Sequence, residues 1–90
     1  MLDIKSLAVF VQVYESGGIG RAATNLHTVQ SAISARIQRL ETELGVELFV
    51  RAARGVKATA EGDRLYEYAT RVLALVEETE SAVKWRKDVA

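Results

Sequence analysis

The stretch IGRAATNLHTVQSAISARIQRLETELG, residues 19–45, decides the fold that this chain is expected to adopt. It predicts a short helix from Ile19 to Leu26, a step of four residues from His27 to Gln30, and a longer helix ending at about Leu44. Gly45 follows as a terminator, because glycine takes the left-handed conformation that closes a helix at little steric cost. A short helix, a tight turn and a longer helix are the pattern of a helix-turn-helix.

The longer helix has one apolar face and one small, polar face. Its apolar residues fall within roughly 40° of one direction on a helical wheel; they are Ile33, Ile37, Leu40 and Leu44. The opposite face carries Ser31, Ala35, Gln38 and Thr42, with Ser34 and Arg39 at its two sides. Such a face fits the major groove of DNA, where bulky side chains would hold the helix off the bases. The alternative is that the two helices pack in an ordinary bundle.

The residues before this stretch predict a first helix from Asp3 to Ser16, because apolar residues recur there at helical spacing. Asp3 is a suitable N-cap, since its carboxylate can accept hydrogen bonds from the free amides of the first turn. Gly17 and Gly18 follow and end the helix. In the short second helix, the residues expected to face the core are Ala22, Ala23 and Leu26.

After Gly45 the apolar period changes and predicts a small hairpin, or wing. Residues 46–50 form a strand, residues 52–55 a turn and residues 56–58 the returning strand. Basic side chains lie near the tip and no acid occurs in residues 48–58; the basic residues are Arg51, Arg54 and Lys57. Such a wing can lie along the DNA backbone or place an arginine in a narrow minor groove. The alternative is a solvated hairpin whose charges serve solubility.

The last segment, from Thr59 to about Lys87, predicts one long helix with Thr59 as its cap. Apolar positions recur on it at heptad spacing and weaken toward the end. A stripe of this length cannot be buried by so small a domain, so we expect part of it to face a second copy of the chain. The interface residues predicted in this way are Leu65, Tyr68, Val72, Leu75, Val76, Thr79 and Val83. Trp85 is expected to pack in the dimer or against a further domain.

The composition of the 90 residues limits the remaining possibilities. A chain of this length buries one small core, and the absence of proline favours helix. The absence of cysteine excludes a disulfide framework and a thiolate metal site, and is consistent with the cytoplasm. With one histidine and no carboxylate pair beside a base, we expect no enzyme, no metal and no cofactor. No apolar run is long enough to cross a membrane, and no signal peptide is recognisable.

The net charge of zero is distributed unevenly along the chain. Residues 1–60 carry seven basic and five acidic side chains, whereas residues 61–90 carry five basic and seven acidic ones. The predicted DNA-binding part is therefore mildly basic and the predicted dimerisation helix mildly acidic. A local basic segment such as the wing anchors phosphate better than a diffuse surplus of charge.

With these elements in place, the chain resembles the LysR-type transcriptional regulators. The matching runs are ESGGIGRAATNLH, QSAIS, IQRLETELGVELFVR and RGVKATAEG, which together span most of residues 7–65. The resemblance implies a mainly α fold: a winged helix-turn-helix of three helices and a two-stranded wing in residues 1–58, then a long dimerisation helix in residues 59–90. It also implies double-stranded DNA with an inverted repeat as partner, a homodimer that becomes a tetramer in the full-length protein, and a small effector bound by a C-terminal domain. That domain is absent from these 90 residues, so the chain is expected to be an excised fragment or a truncated natural product.

The resemblance also assigns roles to single positions. Residues at the start of the longer helix match those that approach bases; they are Gln30, Ser31, Ser34 and Ala35. Gln30 is the best reader, since its amide can donate and accept together at an adenine edge. The expected contacts to the DNA backbone come from Thr28, Gln38, Arg39, Arg51, Arg54, Gly55, Lys57 and Thr59. Arg54 is the candidate for the minor groove.

Three positions depart from the family pattern. Val29 stands where the family usually has a serine that caps the recognition helix, so either Thr28 takes over the cap or the cap is lost. Ser31 replaces the usual proline, and Ala35 replaces a larger polar residue. Ala35 can meet a thymine methyl group, while Arg36 flanks the groove. We therefore expect a base preference individual to this protein.

A helical protein–protein module is the main alternative. It accounts for the helices and the heptad stripe but gives no reason for the polar outer face or the basic wing. Salt dependence distinguishes the two, because counterion release makes DNA affinity fall steeply with salt whereas an apolar helical contact hardly responds.

Overall fold

The computed structural model describes the backbone of residues 1–89 and the side chains of residues 1–84. Within these residues the elements are, in chain order, α1 (Ile4–Ser16), α2 (Ile19–Asn25), α3 (Gln30–Leu44), β1 (Phe49–Ala52), β2 (Gly55–Ala58) and α4 (Ala60–Val89). The predicted mainly α fold, a winged helix-turn-helix followed by a long helix, is confirmed. The environment predicted for the side chain of Trp85 lies outside the described residues.

Side-chain and backbone signals at the ends of α1 act as the sequence predicts. The Ser6 N–H donates to Asp3 Oδ1 at 2.7 Å, so Asp3 caps the helix. Gly17 takes a φ of 74°, and its N–H donates to the Val13 carbonyl oxygen at 2.9 Å. The chain can then turn sharply into α2, whose N-cap is Gly18.

One apolar core joins α1, α2, α3 and the start of α4. Its members are Leu7, Val9, Phe10, Val13, Ala22, Ala23, Ile33, Ile37, Leu40, Leu48 and Ala69. The small side chains of Ala22 and Ala23 bring α2 close to its neighbours. The predictions for Leu26 and Leu44 are wrong, because each is 38% exposed. Leu26 lies in the C-cap position of α2 and Leu44 is the last residue of α3, so both side chains stand at the margin of the core.

The first strand begins three residues later than the sequence pattern suggests. Leu48 is buried in the core. Its N–H donates to a Glu41 carboxylate oxygen at 2.7 Å and its carbonyl oxygen accepts from the Thr59 N–H at 3.0 Å, so contacts with α3 and with the start of α4 hold this segment. β1 and β2 then pair antiparallel from Phe49 opposite Ala58 to Ala52 opposite Gly55, and Ala53 and Arg54 form the turn.

α4 begins with the predicted cap and presents two faces to different surroundings. The Gly62 N–H donates to Thr59 Oγ1 at 3.0 Å. Gly62 and Ala69 are buried against the domain, with Leu65 and Leu73 half-buried beside them. A second face, rotated by roughly a quarter turn, is mostly exposed. No helix of the described residues is long and apolar enough to cross a membrane.

Candidate nucleic-acid interface

The core fixes which side of α3 faces outward. Ile33, Ile37 and Leu40 are all at most 5% exposed, so α3 cannot rotate without opening the core. The predicted reading residues lie on the other side: Gln30, Ser31 and Ala35 are exposed and Ser34 is half-buried. Gln38 and Arg39, two of the predicted backbone contacts, are also exposed on α3.

α3 begins without a side-chain cap. Val29 is the N-cap residue with extended backbone, is 64% exposed and provides no hydrogen bond to the helix. Of the two possibilities left open by the sequence, loss of the cap is therefore correct. The first amides of a helix have no partner within the helix, so the N–H groups of Gln30 and Ser31 remain available to an external acceptor. Together with the helix dipole they make this end suitable for phosphate.

The turn before α3 is tight and positions its start. His27 takes a φ of 55°, a conformation that histidine tolerates better than most residues. The Thr28 N–H donates to the Ala23 carbonyl oxygen at 2.9 Å, and the Thr28 side chain is exposed beside the start of α3. Thr28 thus lies where a phosphate contact is possible, although it does not cap the helix.

Gln30 lies against a neighbouring glycine. A Cβ atom at Gly20 would stand 3.2 Å from Gln30 Nε2, closer than side chains ordinarily pack. The missing side chain at Gly20 therefore leaves the room in which the Gln30 amide sits. Among the described residues no hydrogen-bond partner occupies that amide, so its donor and acceptor are both free. Nothing in the spacing of the sequence connects Gly20 with Gln30, so this contact could not be predicted from the sequence.

The wing is fixed to the body of the domain at its glycine. The Val56 N–H donates to the Gly17 carbonyl oxygen at 3.0 Å. Gly55 has a φ of 108°, and a Cβ atom there would clash with the same carbonyl. Gly55 is therefore required for the conformation and for close approach, which is a different role from the predicted contact with DNA.

A carboxylate of α3 fixes the other strand of the wing. Glu41 Oε2 accepts hydrogen bonds from the N–H groups of Leu48 and Phe49, at 2.7 and 3.4 Å. This contact ties the wing to the helix that carries the reading residues. It could not be read from the sequence, in which Glu41 resembles any exposed acid on a helix.

The concave surface between α3 and the wing brings the two predicted groups together. Ile19, Gln30, Ser34, Arg51, Gly55 and Val56 line it. Arg54 and Lys57 are exposed on the same wing. Thr59 differs, because its hydroxyl donates to the Glu47 carbonyl oxygen at 2.7 Å and accepts from Gly62. Its only hydroxyl hydrogen is thus committed within the domain, and Thr59 acts as a cap.

Two other arginines are used inside the fold. Arg21 Nη1 donates to the Ser16 carbonyl oxygen at 3.2 Å, at the end of α1. Arg36 donates to Ser6 Oγ at 3.3 Å and lies 3.9 Å from the Asp3 carboxylate. Arg36 therefore turns toward α1 and flanks the outer face of α3, as its position in the sequence predicts. Among the described residues no group of His, Cys, Asp or Glu could hold a metal ion.

The predicted dimer residues mostly lie on the exposed face of α4. We call this face the outer stripe; its members are Tyr68, Val72, Leu75, Val76, Thr79 and Val83. All are exposed except Val76, which is half-buried. Leu65 belongs elsewhere, since it is half-buried and packs against the core. A surface concavity along the stripe is lined by Val72, Leu75, Val76, Thr79 and Glu80.

Residues 4–63 match the sequence model of a family described as "Bacterial regulatory helix-turn-helix protein, lysR family". The chain belongs to the LysR family. This family is one of DNA-binding transcriptional regulators and not of enzymes, so the prediction that the chain is not an enzyme is confirmed. The resemblance seen in the sequence is confirmed with it.

Individual LysR-family proteins are similar over nearly the whole chain. The HTH-type transcriptional regulator SoxR of Arthrobacter sp. (strain TE1826) is 42% identical over 77 residues, which are 86% of this chain and 27% of that protein. The chain thus spans about a quarter of the length of this curated relative. The crystal structure of a CbnR_DBD–DNA complex has a TM-score of 0.90 at 34% identity, covering 96% of this chain and 99% of the other. That of the BenM_DBD/catB site 1 DNA complex has a TM-score of 0.92 at 37% identity, covering 96% and 97%.

Proposed function

We propose that this chain is the DNA-binding part of a transcription regulator that binds an inverted repeat as a homodimer. The single observation that carries the proposal is the concave surface between α3 and the wing. It combines the free amide of Gln30, the hydroxyl of Ser34 and the guanidinium of Arg51. An uncapped helix start lies at its edge, with orphan N–H groups suited to phosphate. Polar side chains that can read bases and cations that can bind phosphates thus lie on one surface.

Each part of this surface has a distinct role in the proposal. Gln30 reads a base, Ser31 and Ser34 approach bases or phosphates, and Ala35 accommodates a thymine methyl group. The exposed side chains of Thr28, Gln38 and Arg39 contact the backbone beside the major groove. Arg51, Arg54 and Lys57 hold the flanking backbone from the wing, with Arg54 closest to the minor groove. Glu41 and Gly17 keep the wing in place for these contacts.

The outer stripe of α4 supplies the homodimer contact. Its exposed apolar side chains include Leu75, which is 61% exposed, and Val83, which is 64% exposed. Their spacing of three and four residues is that of helices that pack lengthwise. Two-fold pairing through this stripe requires an inverted repeat, with half-sites about one helical turn or a multiple apart. Residues 1–58 then form the DNA-binding domain and residues 59–90 the dimerisation helix.

The remaining parts of the proposal concern the longer protein. The relatives are about three times as long as this chain, which leaves room for the C-terminal effector domain. A small effector would act through that domain, and the full-length protein would be a tetramer. The cytoplasm is the proposed location, because DNA is the partner and the chain has no cysteine.

Titration of the chain against DNA tests the proposal. Random-sequence duplexes and duplexes selected for binding are compared at two salt concentrations, and sedimentation reports the oligomeric state. We expect tighter binding to selected duplexes that contain an inverted repeat, and a linear fall of log affinity with log salt. A folded, dimeric chain that binds neither pool at low salt would instead act as a helical protein–protein module.

Two substitutions distinguish the reading of bases by α3 from the binding of the DNA backbone by the wing. Gln30→Ala should change the preference among sequences, whereas Arg54→Ala should weaken binding to all sequences and reduce the salt slope by about 1. Lys84→Ala is the matched control, since it removes the same unit of charge from an exposed position near the far end of α4. An unchanged base preference in Gln30→Ala would refute its role as a reader.

A further inference from the structure

Two tyrosines join α1 to α4 outside the surface described above. The rings of Tyr14 and Tyr66 stack with centroids 3.9 Å apart and planes 11° from parallel. The Tyr14 hydroxyl donates to Asp63 at 2.8 Å, and the Tyr66 hydroxyl donates to Glu15 at 2.6 Å. Each helix thus gives one tyrosine and one carboxylate. We call these four residues the tyrosine clasp.

The clasp restrains more than the distance between the two helices. A single hydrogen bond leaves a helix free to pivot about it, but two bonds in opposite directions with a flat ring stack between them oppose both tilt and rotation. The pKa values of Tyr14 and Tyr66 are raised, first by the hydrogen bonds to the carboxylates and then by partial burial of the rings. The protonated phenols that these bonds need are therefore the stable form at neutral pH.

The other contacts of α4 with the domain are less directional. Gly62 packs against the Leu48 carbonyl oxygen and Ala69 is buried in the core, so both bring α4 close. Leu65 and Leu73 pack beside them, but apolar contacts of this kind include no directional bond that fixes the angle of the helix. The clasp, by contrast, continues an aromatic row. Phe49 of the wing lies 5.3 Å from Phe10, and Phe10 lies 6.1 Å from Tyr14, measured between centroids.

A small change in the angle of α4 has a large effect at the outer stripe. From Ala69 to Val83 the helix runs about 20 Å beyond its last fully buried residue. A tilt of about 10° moves the far end by about 3.5 Å, which equals the rise of one base pair. In a symmetric dimer the displacement occurs twice, once in each protomer.

We propose that the tyrosine clasp sets the angle of α4 on the DNA-binding domain and thereby the half-site spacing that the dimer accepts. This inference rests on the proposed function, in which α4 pairs two copies on an inverted repeat. It assigns Tyr14 and Tyr66 as positioning residues that determine specificity without touching DNA.

The test is the double variant Tyr14→Phe with Tyr66→Phe, which keeps both rings and removes both hydrogen bonds. Ser81→Ala is the matched control, because it removes a hydroxyl from an exposed position of the same helix outside the outer stripe. The probes are one isolated half-site and a series of selected inverted repeats whose spacing is lengthened or shortened by one and two base pairs. For each protein, the Kd for an altered spacing is divided by the Kd for the original spacing. We expect this ratio to be about tenfold smaller in the double variant than in the parent, with the affinity for the half-site unchanged.

A second readout measures the angle without DNA. Because the chain has no cysteine, single cysteines at Thr42 and Lys84 can carry spin labels on α3 and α4. We expect a narrow distance distribution in the parent and in Ser81→Ala, and a broader or shifted one in the double variant.

Two results would overturn the inference. In the first, the double variant discriminates between spacings as the parent does and keeps its narrow distance distribution. In the second, the double variant loses affinity equally for the half-site and for the full repeat. Failure of the proposed function appears differently, as a parent protein with no preference for selected over random DNA.

Discussion

α3 and α4 are the two long helices of the domain, and they differ at their starts and along their faces. α3 buries its apolar face from Ile33 to Leu40 but begins at Val29 without a side-chain cap. α4 is capped by Thr59, yet carries exposed apolar residues such as Leu75 beyond the core. The groups that each helix leaves unpaired differ accordingly: backbone N–H groups on α3 and apolar side chains on α4. The first suit a polyanion and the second suit an apolar partner.

The largest effect that distinguishes the two faces is expected from leucine truncation. Leu40→Ala on α3 removes a side chain that is 1% exposed and should lower the free energy of unfolding by about 2–5 kcal/mol. Leu75→Ala on α4 removes one that is 61% exposed and should leave the unfolding of the isolated chain almost unchanged. Urea denaturation at low protein concentration measures both.

The same pair of variants also tests the partner assigned to α4. Sedimentation at increasing concentration should show weaker self-association for Leu75→Ala than for the parent. If Leu75→Ala destabilised the monomer as much as Leu40→Ala, the outer stripe would be part of the domain core and the contrast between the helices would not hold.

The contrast explains how much of the fold could be predicted from the sequence. Ile33, Ile37 and Leu40 recur at helical spacing and are buried, because periodicity reports the side of a helix that lies on a core. Leu44 continues the same pattern but is exposed, since periodicity does not report where the core ends. β1 begins later than the sequence pattern predicts for a related reason: Leu48 belongs to the core, and an α3 carboxylate accepts a hydrogen bond from its N–H.

The site was predictable in its residue types but not in its supporting contacts. The position of a residue along its helix or strand predicts which side chains of α3 face outward and which cations the wing carries. Glu41, Gly20 and the carbonyl of Gly17 act on residues distant in the sequence or through the backbone. A single sequence carries no signal for such contacts. The sequence predicts two roles for Thr59, a helix cap and a contact with DNA, and the fold shows the cap.

The cap of α4 is the source of the next largest effect. Thr59→Val removes the hydroxyl while keeping the shape, and should lower the free energy of unfolding by about 1 kcal/mol, because the Gly62 N–H loses its acceptor. Thermal or urea denaturation measures the change. Thr59→Ser, which retains the hydroxyl, is the control and should remain close to the parent. Equal losses in both variants would indicate that the methyl group, and not the cap, stabilises this junction.

The missing cap of α3 allows the opposite experiment. Val29→Ser supplies an acceptor for the orphan N–H groups and removes an exposed apolar side chain, so stability should rise by about 0.5–1 kcal/mol. Val29→Ala, which truncates the side chain without capping, is the control and should not stabilise. If both variants had the same stability, the first turn of α3 would already be satisfied by water and the difference between the two helix starts would carry little energy.

The smallest effect concerns the other capped helix start, that of α1, whose cap is titratable. The pKa of Asp3 is lowered below its ordinary value of 3.8, mainly by the hydrogen bond from the Ser6 N–H. The Asp3 carboxyl therefore binds a proton less readily in the folded state than in the unfolded state. The stabilisation by its charge is present at pH values above the ordinary pKa and is lost as the pH falls through the lower pKa of the folded state. Asp3→Ser keeps an acceptor that does not titrate, and Glu77→Gln removes an exposed carboxylate without hydrogen bonds among the described residues. Thermal denaturation between about pH 5 and pH 3 should show a smaller loss of Tm for Asp3→Ser than for the parent or for Glu77→Gln. Parallel losses in all three proteins would mean that the charge of Asp3 adds nothing to its capping role.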